Sequence, residues 1–190
     1  MSEKIRSFIS VDLEDETLVE ALVKTQRKLQ ETGADLKLVE AENMHLTLRF
    51  LGEIALSTVN SVIEELKMVN FKPFRLTLQG LGAFPNLRRI NVVWVGIIEG
   101  KTELEQIAEK IESSVRKIGL PPDRKGFSPH LTIARVRTGR NRDKLAEILK
   151  MSQNHNVGSI NVDSIRLKRS VLTPKGPKYS TIFEVKVGGE

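Results

Sequence analysis

Apolar positions along this chain switch between two periods, two residues and about 3.6, and each switch marks an element. Lys4 to Val11 alternates as a strand does, and Asp12-Leu13-Glu14-Asp15 then opens a helix. Leu18, Leu22, Thr25 and Leu29 recur along that helix at helical spacing, and Gly33 stops it. Leu36 to Val39 reads as a short strand, and Met44 to Leu51 as a longer one closed by Gly52. Ser57 is placed to cap a second helix, whose Val59, Val62, Ile63 and Leu66 form one stripe. Phe74, Leu76 and Leu78 return to the strand period, and Phe84-Pro85-Asn86 interrupts it.

Ile90 to Ile98 is rich in β-branched residues and reads as a buried strand. Thr102 with Glu105 forms a capping box for a third helix, with Leu104, Ile107, Ala108, Ile111 and Val115 inward. Gly119, Pro121 and Pro122 end it, and Pro129 opens a strand from His130 to Val136. A short helix carries Leu145, Ile148 and Leu149, and two final strands flank a turn near Pro174-Lys175-Gly176-Pro177. The order, βαββαβ then βαβαββ, is an α+β pattern with an internal echo: each half holds a helix followed by a strand that begins with His. No linker is long enough to separate the halves, so residues 1–190 read as a single domain.

Composition narrows the chemistry. The chain has 190 residues, no cysteine, 39% hydrophobic and 28% charged residues, which is the balance of a soluble globular protein. Without cysteine, disulfides and thiolate metal sites are excluded. The N-terminal residues have no apolar signal core, and the longest apolar run, Ile90 to Ile98, falls short of the ~20 residues that span a bilayer. These features set the expectation of a cytoplasmic protein with no membrane partner, and a monomer is the simplest reading. The net charge of +6 and pI near 9.6 favour a polyanion such as RNA.

The most informative feature is a repeat. Asn43-Met44-His45-Leu46-Thr47-Leu48 and Ser128-Pro129-His130-Leu131-Thr132-Ile133 are near-copies, and they hold two of the three histidines. Residues i and i+2 of a strand share a face, so His45 joins Thr47 and His130 joins Thr132, while Leu46, Leu48, Leu131 and Ile133 turn into the core. If the halves pack about a pseudo-two-fold axis, two imidazoles and two hydroxyls converge on one groove. One neutral imidazole then takes a proton from attacking water and one imidazolium gives a proton to a departing ribose oxygen, steps that each contribute ~10²–10⁴-fold. Threonine hydroxyls donate to non-bridging phosphate oxygens. Each strand supplies one imidazole and no same-face carboxylate, and there is no HxH, HExxH or GxSxG, so neither a metal site nor a serine nucleophile is expected, and no cofactor.

With these residues in view, the chain resembles the RNA 2′,3′-cyclic phosphodiesterases, also called 2′-5′ RNA ligases, of the 2H phosphoesterase superfamily. The resemblance runs through Arg6-Ser7-Phe8-Ile9, the segment Asn43 to Glu53, Gly82-Ala83-Phe84-Pro85, Val93-Trp94-Val95-Gly96, the segment Phe127 to Arg135, and Leu172 to Tyr179. It implies a bilobal α+β fold in which two pseudo-symmetric lobes, with one HxTx motif each at 45–48 and 130–133, line a central groove with antiparallel sheets and carry helices outside. It implies metal-free conversion of a cyclic phosphate end to a 2′-phosphate, with His45 as proton donor, His130 as proton acceptor, and Thr47 and Thr132 on the phosphate. The residues alone leave the donor open, because the copies are pseudo-symmetric.

Around the motifs, strict alternation turns Arg135 away from His130 and Thr132, and a strand end or bulge is needed to bring it back to the substrate. Arg135, Arg137, Arg140, Arg142 and Lys144 form a basic run suited to RNA phosphates or simply to solvent. Phe8 and Tyr179 are placed to stack a terminal base, with core packing the competing role for Phe8. Trp94 reads as core, and His155 as a loop residue without a function. The partner expected is RNA ending in a 2′,3′-cyclic phosphate, tRNA halves being one source. Reverse 2′-5′ RNA ligation at the same site accompanies this expectation, and the alternatives are a cyclic phosphodiesterase acting on a small nucleotide such as an ADP-ribose cyclic phosphate, or an RNA-end binding module without turnover.

Overall fold

The computed structural model describes residues 3–188. Among them, strands β1 (Lys4–Asp12), β3 (His45–Ala55), β8 (Ser164–Thr173) and β9 (Gly176–Lys186) form one sheet in the order β3-β1-β8-β9. Strands β2 (Leu36–Leu38), β4 (Phe74–Asn86), β5 (Arg89–Glu99), β6 (Leu131–Val136) and β7 (Asn156–Val162) form a second in the order β2-β6-β5-β4-β7. Every pairing is antiparallel. Removing β2 leaves two four-stranded sheets of matching layout, β3-β1-β8-β9 against β6-β5-β4-β7, with the two HxTx segments on corresponding outer strands. The fold is α+β with two antiparallel sheets and four helices.

Four helices join the strands, α1 (Glu16–Gln30), α2 (Leu56–Lys67), α3 (Lys101–Lys117) and α4 (Arg142–Met151), and α1 and α3 cross between the halves. Helix α1 follows β1 of the first sheet but packs on β6 and β7 of the second. Helix α3 follows a strand of the second sheet but packs on β3 of the first and on α2. Leu18, Leu22 and Leu29 of α1 and Leu104, Ile107, Ile111 and Val115 of α3 are buried, and the core is one continuous cluster from Ile5 to Leu167. Hydrophobic burial therefore ties each half of the chain to the other half's sheet.

Several boundaries differ from the sequence reading for local reasons. Helix α1 begins at Glu16, because Asp15 accepts the Leu18 N–H and so acts as the cap. Ser57 does not cap α2: that helix leaves β3 directly after Ala55, which puts Ser57 inside the first turn. Thr102 does not cap α3 either, because Gly100 holds the cap position at φ 81 and its carbonyl accepts the Leu104 N–H at 3.0 Å. A Cβ there would meet the Arg75 carbonyl at 2.6 Å, so only glycine makes this exit from β5. Gly52 does not close β3; it sits in a bulge at φ 74 and the strand continues to Ala55. Strand β4 runs through Phe84-Pro85 to Asn86. Three strands follow α4 rather than two, since polar-looking Asn156–Val162 pairs with β4 as an edge strand. His130 stands just before β6, which begins at Leu131.

Candidate active site

His45 opens β3 at the register position of Asp12, with Thr47 opposite Ser10. Met44, Leu46 and Leu48 are buried and His45 and Thr47 are partly exposed, as the two-residue period requires. His130 and Thr132 are likewise partly exposed, and Leu131 and Ile133 are buried. The two imidazoles are anchored in the same way. Nδ1 of His45 donates to the Asn43 carbonyl at 2.7 Å, and Nδ1 of His130 donates to the Ser128 carbonyl at 2.6 Å. A carbonyl accepts only, so Nδ1 carries the proton in each ring and Nε2 is left to exchange one. The Nε2 of His45 lies 3.0 Å from Oγ1 of Thr47, the other side chain on its face.

Each ring is also held by aromatic neighbours. Phe8 lies 4.8 Å from the His45 ring centroid, and Tyr179 meets it edge-on at 5.2 Å. Phe84 meets His130 edge-on at 4.8 Å, and Trp94 lies 6.5 Å away. Phe8 is buried, so core packing and contact with His45 are the same role. Trp94 is only partly buried and covers Gly82, where a Cβ would collide with its ring at 2.3 Å. Tyr179 is partly buried; burial raises its phenol above the ordinary value against the opposing charges of Arg135 and Arg6, which keeps it a hydrogen-bond donor.

Burial lowers the His45 pKa below its ordinary 6.5; the Asn43 hydrogen bond and the Asp12 charge oppose that, and Lys168 reinforces it. Asp12 is itself tied to Lys168, to Arg166 at 3.2 Å and to Ser10 at 2.7 Å. Burial raises the Asp12 carboxyl, but these partners outweigh it and hold the carboxylate below its usual range. A carboxylate whose charge is favoured thus stands beside His45, which the sequence reading did not anticipate.

Arg135 reaches the site face through a bulge. Trp94 pairs with Thr132 and Val93 with Ala134, so β6 holds one residue more than β5 at Ile133. Ile133 and Ala134 are consecutively buried and Arg135 is exposed, which is the phase slip a bulge produces. The bulge is fastened from α1: Gln26, 3% exposed, donates through Nε2 to the carbonyls of Ile133 and Val39, both at 2.8 Å. Strand β3 has the matching slip, with Ser10 opposite Thr47 and Ile9 opposite Arg49. There Arg49, 9% exposed, turns inward to Glu112 of α3 at 2.6 Å and to the carbonyls of Phe50 and Pro121. Phe50 consequently occupies in the first half the place of Arg135 in the second, each five positions after its histidine. Phe50 is 60% exposed. An open aromatic face in one half and a guanidinium in the other suit a base and a phosphate respectively.

The two halves meet at this face. Strand β3 contacts β6, the Asn43 side chain donates to the Pro177 carbonyl at 3.2 Å, and the Arg135 charge is felt at Tyr179. Among the described residues no three His, Cys, Asp or Glu side chains converge as metal ligands, and no helix is long and apolar enough to cross a membrane. In the basic run, Arg140 is spent on the Gly33 carbonyl at 3.0 Å. His155 lies apart from this face, 3.0 Å from Thr25 of α1. The roles of Arg49 and Phe50 depend on a bulge and were not legible beforehand, and for Gln26 the one available hint was its place beside the buried stripe of α1.

The LigT like Phosphoesterase family pattern matches residues 11–94 and again residues 95–179, one match per half. The chain is 41% identical over 169 residues to an RNA 2′,3′-cyclic phosphodiesterase of Aeropyrum pernix, covering 89% of this chain and 96% of that protein. It is 40% identical over 180 residues to one of Methanothermobacter thermautotrophicus, covering 93% and 96%. Its fold is similar to the crystal structure of E. coli LigT complexed with 3′-AMP, with a TM-score of 0.79, 25% identity, and coverage of 98% of this chain and 100% of that one.

Proposed function

Because the chain belongs to the LigT like Phosphoesterase family, we propose that it hydrolyses the 2′,3′-cyclic phosphate at the end of an RNA to a 2′-phosphate. Water attacks phosphorus in line with the 3′ oxygen, the new P–O bond forms, and the P–O3′ bond breaks. Nε2 of His130 takes the proton from water, and Nε2–H of His45 gives a proton to the departing 3′ oxygen. Thr47 and Thr132 donate to the non-bridging oxygens, where negative charge grows, and Arg135 and Tyr179 hold the substrate. The single observation that supports this reading is the duplicated anchor: in both copies Nδ1 is tied to the carbonyl two residues back, leaving both Nε2 atoms to move protons.

The donor role of His45 rests on resemblance to the family, and burial works against it in the free protein by favouring the neutral ring. A bound phosphate anion reverses that bias by stabilising the imidazolium. With a 5′ hydroxyl in place of water, the same in-line displacement forms a 2′-5′ phosphodiester as the P–O3′ bond breaks and the 3′ oxygen leaves, and water at high concentration favours hydrolysis. A small cyclic nucleotide is the second reading, supported by the 3′-AMP bound to E. coli LigT. Cleaved tRNA is one natural source of the RNA ends.

The test is incubation with a short RNA ending in a 2′,3′-cyclic phosphate in the presence of chelator. The expected product is the 2′-phosphate alone, and His45→Ala and His130→Ala each lose at least about 10²-fold in kcat while retaining RNA binding. Formation of a 3′-phosphate, or full turnover in both variants, refutes the assignment.

A further inference from the structure

Strand β2 carries a residue that folding does not explain. Lys37 stands directly opposite Arg135 across the β2–β6 pair, and both are exposed. Cross-strand partners share a face, and like charges so placed repel. Among the described residues neither side chain has an acid or a hydrogen-bond partner to offset that repulsion. The two cations nevertheless point toward the site. The Lys37 Nζ lies 4.0 Å from where a Cβ would stand on Gly176, which opens β9 ahead of Tyr179, and the Arg135 charge acts on the Tyr179 hydroxyl. The bulge at Ile133 puts Arg135 on the face of His130 and Thr132, so Lys37 extends that face outward by one strand.

We propose that Lys37 and Arg135 together form a second phosphate subsite, which takes the phosphodiester one nucleotide inward from the cyclic end. This rests on the reading above and adds to it the substrate class: an RNA of at least two nucleotides rather than a cyclic mononucleotide. Directly opposed residues of an antiparallel pair have Cβ atoms about 4.5–5.5 Å apart, which lets two long cationic side chains converge on one phosphate, and that anion supplies the charge balance the free protein lacks. The subsite also sets direction, because it draws the RNA body across β6 and β2 and away from Phe50.

The test uses three substrates with the full-length protein: a cyclic mononucleotide, a dinucleotide ending in the cyclic phosphate, and the same dinucleotide with an uncharged methylphosphonate linkage. Wild type is expected to prefer the charged dinucleotide over the methylphosphonate by about tenfold in kcat/KM, the worth of one charge-assisted contact. Lys37→Met, which keeps the aliphatic stem, should erase that preference and leave mononucleotide turnover within about twofold. A binding arm needs no turnover: for a short RNA 2′-phosphate, the slope of log Kd against log salt should fall by roughly 0.7 in Lys37→Met. The variant should melt no lower than wild type, since it removes a repulsion. Equal turnover of charged and uncharged dinucleotides, an unchanged salt slope, or an equal loss on the mononucleotide overturns the subsite. Failure of wild type to open any cyclic phosphate would instead overturn the hydrolase reading, and the salt slope would then decide the subsite by itself.

Discussion

At the scale of single residues, the site is tuned through His45. Its pKa is lowered by burial and by Lys168 and supported by Asp12. If His45 is the donor, kcat/KM falls as pH rises through that value, so the alkaline limb lies below the ordinary 6.5. Lys168→Met removes a nearby cation and should move the limb to higher pH, whereas Asp12→Asn should move it lower; a pH–rate profile of each variant reads both. Opposite or absent shifts would exclude His45 from that limb. The same lowering has a stability consequence. The unfolded chain takes up the proton first, so the stability due to a neutral His45 is present above its ordinary value and is lost as pH falls through its folded value.

At the scale of elements, the two bulges are the decisive devices. A regular β6 would point Arg135 into the core side, and the extra residue at Ile133 turns it back. Gln26 secures that bulge with two hydrogen bonds in a buried setting, where an unsatisfied carbonyl costs ~1–3 kcal/mol. Gln26→Leu should therefore lose about that much stability by chemical denaturation. It should also raise KM for RNA more than it lowers kcat, because Arg135 is displaced while His130 keeps its own anchor at Ser128. Intact RNA affinity in a destabilised variant would mean the bulge holds without Gln26. Glu112 of α3 performs the corresponding task for β3 through Arg49, so both bulges are fastened by a helix that crosses from the other half.

At the scale of the whole molecule, that crossing makes the halves interdependent. Helix α1 packs on the second sheet and α3 on the first, so neither sheet keeps a complete core alone. We propose that the chain unfolds as one domain. Leu22→Ala on α1 and Ile111→Ala on α3, both fully buried, should each cost about 2–5 kcal/mol and shift the same single transition in calorimetry. Two separable transitions, each answering to one variant, would contradict this.

The sequence by itself determined the repeat, the α+β class and the faces of the two HxTx segments, because alternation and helical spacing are local properties of the chain. It showed that His45 shares a face with Thr47 and His130 with Thr132. It missed β7, whose Asn, Gly and Ser residues form a strand only because β4 offers an edge. It misplaced two helix caps that the preceding strands dictate. Arg135, Phe50 and Lys37 acquired meaning only in three dimensions, since a bulge is set by which strand lies alongside and by what fastens it. Local period is written in a segment, whereas register is an agreement between segments far apart in the chain, and it is register that decided which side chains face the site.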